Sequence, residues 1–167
     1  MPVTEIATLR LLPSYTWESP TIQAFFKAFS DGQTEFMGSP SSYFQDAQDQ
    51  SVVYVVKEWE SVPAHGEWIA SAPNQGLLEM AKGLLEVRDL MHVNIKCRVA
   101  HDPALVWRVR KASEGDTVTA AEDTGTAFED EEVVCSLKGY TSEAKALEVA
   151  NNGEKQAVVM RRLSLII

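Results

Sequence analysis

Two histidines carry most of the chemistry that the sequence offers. His92 stands in the stretch from Asp89 to Val99, where Met91, Val93, Ile95 and Cys97 alternate with His92, Asn94, Lys96 and Arg98. Period two puts the two sets on opposite faces of a strand. If the apolar set meets helices, His92 projects from the helix-free face into whatever that face encloses, with Asn94 beside it. An imidazole whose unperturbed pKa is near ~6.5 takes or gives a proton at neutral pH, which suits enolisation, ring closure or deprotonation of a phenol. A histidine hydrogen-bonded within the sheet for structure is the competing reading. His65 lies between Trp59 and Trp68, and together these could form an aromatic-walled cavity mouth for a flat substrate with a basic group beside it. The alternative is an exposed histidine above tryptophans that only pack helix on sheet. Tyr54 and Trp59 have opposite parity on one strand, so one faces the helices and the other the cavity. Tyr43, Phe44 and Trp107 are further pocket candidates, the first two from a lid and the last from the wall.

These side chains need a sheet and helices to position them. Thr4 to Leu12 suits a first strand ended by Pro13. Ser19-Pro20 opens a helix carrying Ile22, Phe25, Phe26 and Phe29 on one face, which Asp31-Gly32 should end. Met37 to Ala47 reads as an irregular strand or lid. The β-branched run from Ser51 to Trp59 is a strand, followed by a helix capped by Ser61, kinked or broken after Ser71 by Pro73, and buried through Trp68, Ile69, Leu77, Leu78, Met80, Leu84 and Leu85. With the His92 strand the order is β-α-β-β-α-β, the ferredoxin-like arrangement.

After Pro103 the pattern partly restarts. Ala104 to Arg110, Glu132 to Lys138 and Ala157 to Ile167 read as strands, and Thr141 to Asn151 as a helix capped by Thr141 or Ser142. Lys111 to Thr126 lacks the apolar periodicity of a first helix. The chain therefore divides into a complete ferredoxin-like repeat over residues 1–100 and an eroded second repeat over residues 101–167.

Composition narrows the function classes. Across 167 residues, 15 Lys and Arg face 24 Asp and Glu, a net charge of -9 that repels nucleic-acid backbones and anionic membranes. No run reaches the ~20 apolar residues of a membrane span, and the first residues lack a signal-peptide pattern, so a cytoplasmic protein is expected. Cys97 and Cys135 form neither a disulfide framework nor a zinc motif and read as small buried hydrophobes. No phosphate-cradling glycine loop or nucleophile elbow occurs, which disfavours large cofactors with sequence-readable binding loops. The acidic stretch from Asp116 to Glu132 fits no calcium loop and reads as solvated. His101-Asp102-Pro103 reads as a turn.

Val53-Tyr54-Val55-Val56-Lys57-Glu58-Trp59-Glu60-Ser61, followed by Ala64-His65-Gly66-Glu67-Trp68-Ile69 and Ser71-x-x-Asn74-Gln75, resembles the strand-to-helix signature of antibiotic-biosynthesis-monooxygenase-like proteins, particularly their fungal branch. Thr4 to Leu11 is similar to that branch's opening strand and Leu90 to Val93 to its fourth. The resemblance implies an α+β fold in which ferredoxin-like antiparallel sheets, helices outside, build a dimeric α/β barrel around small-molecule pockets. A tandem chain would supply this as a homodimer or as a pseudo-dimeric monomer. The family includes cofactor-free monooxygenases, polyketide cyclases, decarboxylases, isomerases and heme-degrading members, and no histidine here stands out as an axial ligand. The implied activity is a cofactor-independent tailoring enzyme of secondary metabolism. It would act on a polyketide-like or terpenoid-like molecule by proton transfer, with His92 as general base or acid, His65, Asn94 and Tyr43 holding the oxygen where enolate charge develops, and Trp59, Trp68, Phe44, Tyr54 and Trp107 around the substrate. A monooxygenase using dioxygen on a phenolate, and a non-catalytic small-molecule-binding barrel, are the alternatives.

Overall fold

The computed structural model describes residues 2–95, 101–111, 123–151 and 157–166. β1 (Val3–Leu11), α1 (Pro20–Met37), β2 (Ser42–Asp46), β3 (Val52–Trp59), α2 (Val62–Ala70), α3 (Ala72–Ala81) and β4 (Leu85–Val93) make the first half. β5 (Ala104–Lys111), β6 (Asp123–Thr126), β7 (Val133–Tyr140), α4 (Glu143–Asn151) and β8 (Ala157–Leu163) follow. All eight strands belong to one sheet of order β4-β1-β3-β2-β8-β5-β7-β6, antiparallel at every pairing. Within each half the order is the same, fourth-first-third-second, and the halves join through β2 and β8. The fold is thus α+β and ferredoxin-like, and the second half repeats the strand order of the first. The stretch read as lacking a first helix in the second half, and Cys97, lie outside the described residues, apart from Lys111 at the end of β5 and the residues of β6.

The sheet curls until its two outer strands meet at one end. An isolated antiparallel bridge pairs Val93 with Ala127, the Asn94 N–H donates to the Thr126 carbonyl at 3.1 Å, and the Phe128 N–H donates to the His92 carbonyl at 2.8 Å. Gly125 makes this junction possible, because a Cβ there would stand 2.2 Å from the Asn94 oxygen. Gly125→Ala is therefore expected to force the two edges apart and to cost roughly 1–3 kcal/mol, the scale of overpacking, in a urea-unfolding measurement. The same junction delivers the residue after Phe128, Glu129, to His92.

Both faces of the sheet are covered. The concave face holds a continuous apolar cluster from both halves that includes Ile6, Phe44, Tyr54, Val93, Trp107, Leu137 and Met160. Cys135 is buried among them, its thiol pushed up to about 12 chiefly by burial, in keeping with a small hydrophobe. On the convex face of the first half, Ala7, Leu9, Leu11, Val53 and Val55 pack against Ile22, Phe25 and Phe26 of α1, while Val3 and Trp59 meet Trp68 and Leu77. In the second half Ala104, Val106 and Val159 pack on Ala146 of α4.

Three boundaries differ from the sequence reading. α1 runs through Asp31-Gly32 to Met37 and is closed by Gly38, at φ 74° with its N–H on the Thr34 carbonyl. Gly32 serves packing rather than termination: a Cβ at this position would lie 3.2 Å from the Trp68 ring. The break at Ser71 is complete, with its hydroxyl capping α3 through the Asn74 N–H, and α2 is capped in the same way by Ser61 through Ala64. Leu85 leaves the helix and starts β4, after Gly83 reverses the chain at φ 81°, and Ile69, Leu78 and Met80, expected on the buried side, are exposed. A bulge between Thr8 and Leu9 shifts the register of β4, so that Leu85 and Val87 before it, and Leu90 and His92 after it, all oppose residues of the helix-facing side of β1.

Candidate functional site

β1 presents Val3, Glu5, Ala7, Leu9 and Leu11 to the helices, and β3 presents Val53, Val55, Lys57 and Trp59, so one carboxylate and one ammonium interrupt two apolar stripes. Register makes them neighbours: Glu5 pairs with Lys57 on one side and with His92 on the other. The side chain of Glu5 is 4% exposed and its Oε2 accepts the Trp59 Nε1–H. Lys57 reaches away to the Ser39 carbonyl and hydroxyl. Burial raises the Glu5 pKa to about 7, opposed by the Trp59 hydrogen bond and the Lys57 charge. Burial likewise lowers the Lys57 pKa, opposed by Glu5.

The first turn of α2 sets His65 over this carboxyl. Its Nε2 lies 3.4 Å from Glu5 Oε2, its ring stacks on Trp59 at a centroid distance of 4.5 Å, and its Nδ1 meets His92 Nε2 at 2.7 Å. Burial, and secondarily the neighbouring His92, lowers the His65 pKa to about 4, so its imidazole is neutral at pH 7. His92 continues the line: its Nδ1 is 2.5 Å from Glu129 Oε1, and its backbone N–H donates to the same carboxylate at 3.0 and 3.1 Å. The result is a carboxyl, two imidazoles and a second carboxylate in series. This is a line rather than a cage, and among the described residues no group of His, Cys, Asp or Glu is arranged to hold a metal ion.

Glu5 and His65 form the polar end of a cavity of about 210 Å³ between the sheet and α1, α2 and α3. Phe25, Phe29, Trp68 and Leu85 supply apolar wall, and Asn74 and Gln33 are the other polar groups. Asn74 Nδ2 gives one hydrogen to the Ile69 carbonyl at 3.1 Å, which leaves its second for a ligand. Ile69, Leu78 and Val87 line the cavity yet are 39%, 40% and 56% exposed, which marks the mouth.

The two histidines read from the sequence are thus brought into contact, with Trp59 and Trp68 around them. The face expected for His92 is corrected, because its ring turns toward the helical layer while Met91 and Val93 turn to the concave core. With both faces covered, an apolar stripe does not reveal which cover it meets. The concave hollow expected to hold substrate carries packed side chains instead. Phe44, Tyr54 and Trp107 belong to that core, and the Tyr54 hydroxyl donates to Asp46. Tyr43 lies on the helical side, but its hydroxyl is directed to the Phe26 carbonyl and its ring packs on Trp17 and Phe26. Asn94 is exposed, spent on the strand junction through its backbone. Sequence reasoning missed Glu5, Lys57 and Glu129. The first two had a signal, a charge at the buried parity of each strand. Glu129 had none, since only the junction of the two sheet edges brings it to His92.

No protein-family model matches the chain, and no curated protein matches it in sequence. Solved structures do match in fold. A protein from Fusobacterium nucleatum provisionally named a monooxygenase superposes with a TM-score of 0.59 at 10% identity, over 98% of this chain and 93% of that one. A Lactobacillus acidophilus protein, also provisionally named a monooxygenase, gives 0.54 at 9% identity over 97% and 93%. A mutant chlorite dismutase from Candidatus Nitrospira defluvii gives 0.57 at 13% identity over 98% and 92%. At such identities the fold alone is shared. They do not bear on a fungal branch. Among the described residues no helix is long and apolar enough to cross a membrane.

Proposed function

We propose that the chain is a cofactor-independent acid–base catalyst of the cyclase, isomerase or lyase type. Its substrate is a small, mainly apolar molecule bearing one acidic C–H or O–H. One observation carries the reading: a carboxyl buried at the end of an apolar cavity, beside a neutral imidazole, with its pKa held at about 7. A general base works best when its pKa lies near the operating pH, and burial is the standard means of raising a glutamate there. In the ionised form Glu5 takes the substrate proton; the Asn74 amide faces the oxygen on which charge develops; and the protonated Glu5 returns the proton to another atom of the same molecule. The cavity is smaller than the about 300–1,000 Å³ of drug-sized sites, which fits one or two fused rings of polyketide-like or terpenoid-like character.

The test uses small cyclic diketones and naphthols in deuterated water, with deuterium incorporation followed by mass spectrometry. Protein-dependent incorporation that Glu5→Gln abolishes supports the reading; incorporation indifferent to that change overturns it. A second reading draws on the fold neighbours provisionally named monooxygenases. There the same base makes a phenolate or carbanion that reacts with dioxygen, one oxygen atom entering the product and the other leaving as water. Stoichiometric dioxygen uptake with product formation selects it.

A further inference from the structure

The acid–base reading uses Glu5 and His65; it does not use the two groups behind them. His92 does not line the cavity, and Glu129 lies on the far side of His92, on the opposite edge of the sheet. Exposure rises along the line, from 4% for the Glu5 and His65 side chains through 7% for His92 to 44% for Glu129. We propose that Glu5, His65, His92 and Glu129 form a proton path between the cavity and solvent, with Glu129 as its outer terminus and His92 as its connecting link.

The hydrogen-bonding options of the rings settle the direction of the path. An ionised Glu129 only accepts, so His92 carries its proton on Nδ1, and the His92 backbone N–H holds the same carboxylate in place. His92 Nε2 is then a lone pair, which requires the proton of His65 to sit on Nδ1 across the 2.7 Å contact. His65 Nε2 is left as a lone pair facing Glu5, the group whose carboxyl is the proton donor of the set. Every donor thus points outward. The other groups around Glu5 do not compete for its proton: Trp59 Nε1 is a donor only, and the Lys57 ammonium is engaged by Ser39.

Transfer balances at each step. Glu5 gives its proton to His65 Nε2, His65 Nδ1 gives its proton to His92 Nε2, His92 Nδ1 gives its proton to Glu129, and Glu129 releases it to water. Glu5 ends as a carboxylate, both rings end neutral with the proton on the other nitrogen, and the reverse sequence loads Glu5 again. The widest link is the 3.4 Å gap between His65 and Glu5, a separation of the kind that tightens once a ligand excludes solvent. With the apolar mouth at Ile69, Leu78 and Val87 filled by such a ligand, this line is a polar route by which a proton leaves or enters.

Although the path rests on the acid–base reading for its purpose, its test needs no substrate. A light-triggered pH jump is applied to the whole protein, and the carboxyl stretch of protonated Glu5 is followed by time-resolved infrared absorption, assigned by its loss in Glu5→Gln. Glu129→Gln keeps the size and the acceptor oxygen but takes up no proton, and His92→Phe cuts the link. Both variants are expected to slow the response of the Glu5 band about tenfold or more while its final amplitude is kept, because protonation must then wait for local opening. An unchanged rate in Glu129→Gln overturns the path even if His92→Phe does not fold. Slowed rates in a protein that exchanges deuterium into none of the probes would sink the catalytic reading and leave the path standing.

Discussion

Relative to the parent protein, Glu5→Gln is expected to gain about 3 kcal/mol of stability between pH 4 and pH 7.5, read as the difference of two urea-unfolding series. The sign follows from the direction of the shift. The Glu5 carboxyl titrates at 4.5 in the unfolded chain and at about 7 in the fold, so the folded state holds its proton the more tightly. The stability this contributes is complete below pH 4.5, falls as pH rises, and is gone above pH 7. Glutamine keeps the acceptor for Trp59 and has nothing to ionise. His65 works in the opposite sense. Its pKa falls from 6.5 to about 4 on folding, so its contribution is complete above pH 6.5 and is lost as pH falls through 4. His65→Phe should lose stability relative to the parent as pH rises from 4 to 6.5. Between pH 4.5 and 6.5 the two slopes oppose each other in the parent, since folding moves one proton from the unfolded chain's histidine to the folded chain's glutamate. Each variant unmasks the other's slope. Parallel curves for Glu5→Gln and the parent across this range would show that the Glu5 carboxyl is not held protonated.

The fold was legible because its determinants are local. Strand parity, the Ser61 cap, the Ser71-Ala72-Pro73 break and the restart after Pro103 are set by residues close in sequence, and they suffice for the element order and the α+β class. Met37 to Ala47 was harder, as only the pairing of β2 with β3 and β8 holds so short a strand. Gly32 was misread because its reason is tertiary, a tryptophan from α2. The site divides in the same way. His65, Trp59 and Trp68 announce themselves within ten residues. Glu5 was readable from β1 as the one charge at the apolar parity, where a carboxylate must find partners or change its pKa. Glu129 was not readable, since it reaches His92 through a junction between strands 37 residues apart whose geometry depends on how far the whole sheet curls. The face of His92 failed for a related reason: covered on both sides, the sheet leaves no wet surface to distinguish inside from outside.

The cavity lies on the helical side and not in the concave hollow, so the proposed acid–base reading places the heaviest catalytic burden on Glu5 and not on His92, and the variants rank accordingly. Glu5→Gln is expected to lower the rate of deuterium incorporation into a responsive probe about 10²–10⁴-fold, the range for removal of a general acid–base group. KM should change little, because the amide preserves size and the acceptor for Trp59 while the apolar walls supply most of the binding. Parent activity should rise with pH and reach half its plateau near pH 7, where the Glu5 carboxyl ionises. His65→Phe keeps the stacking on Trp59 but removes the lone pair opposite Glu5, and should shift that midpoint as well as lower the rate. His92→Phe, one contact further out, should leave the midpoint near 7 and reduce the rate less, since its ring does not line the cavity and is linked to the Glu5 carboxyl through His65. An order in which His92→Phe costs the most would make His92, and not Glu5, the principal acid–base group of the line. A Glu5→Gln protein within about threefold of the parent, well short of the loss an acid–base residue commands, would remove Glu5 from it.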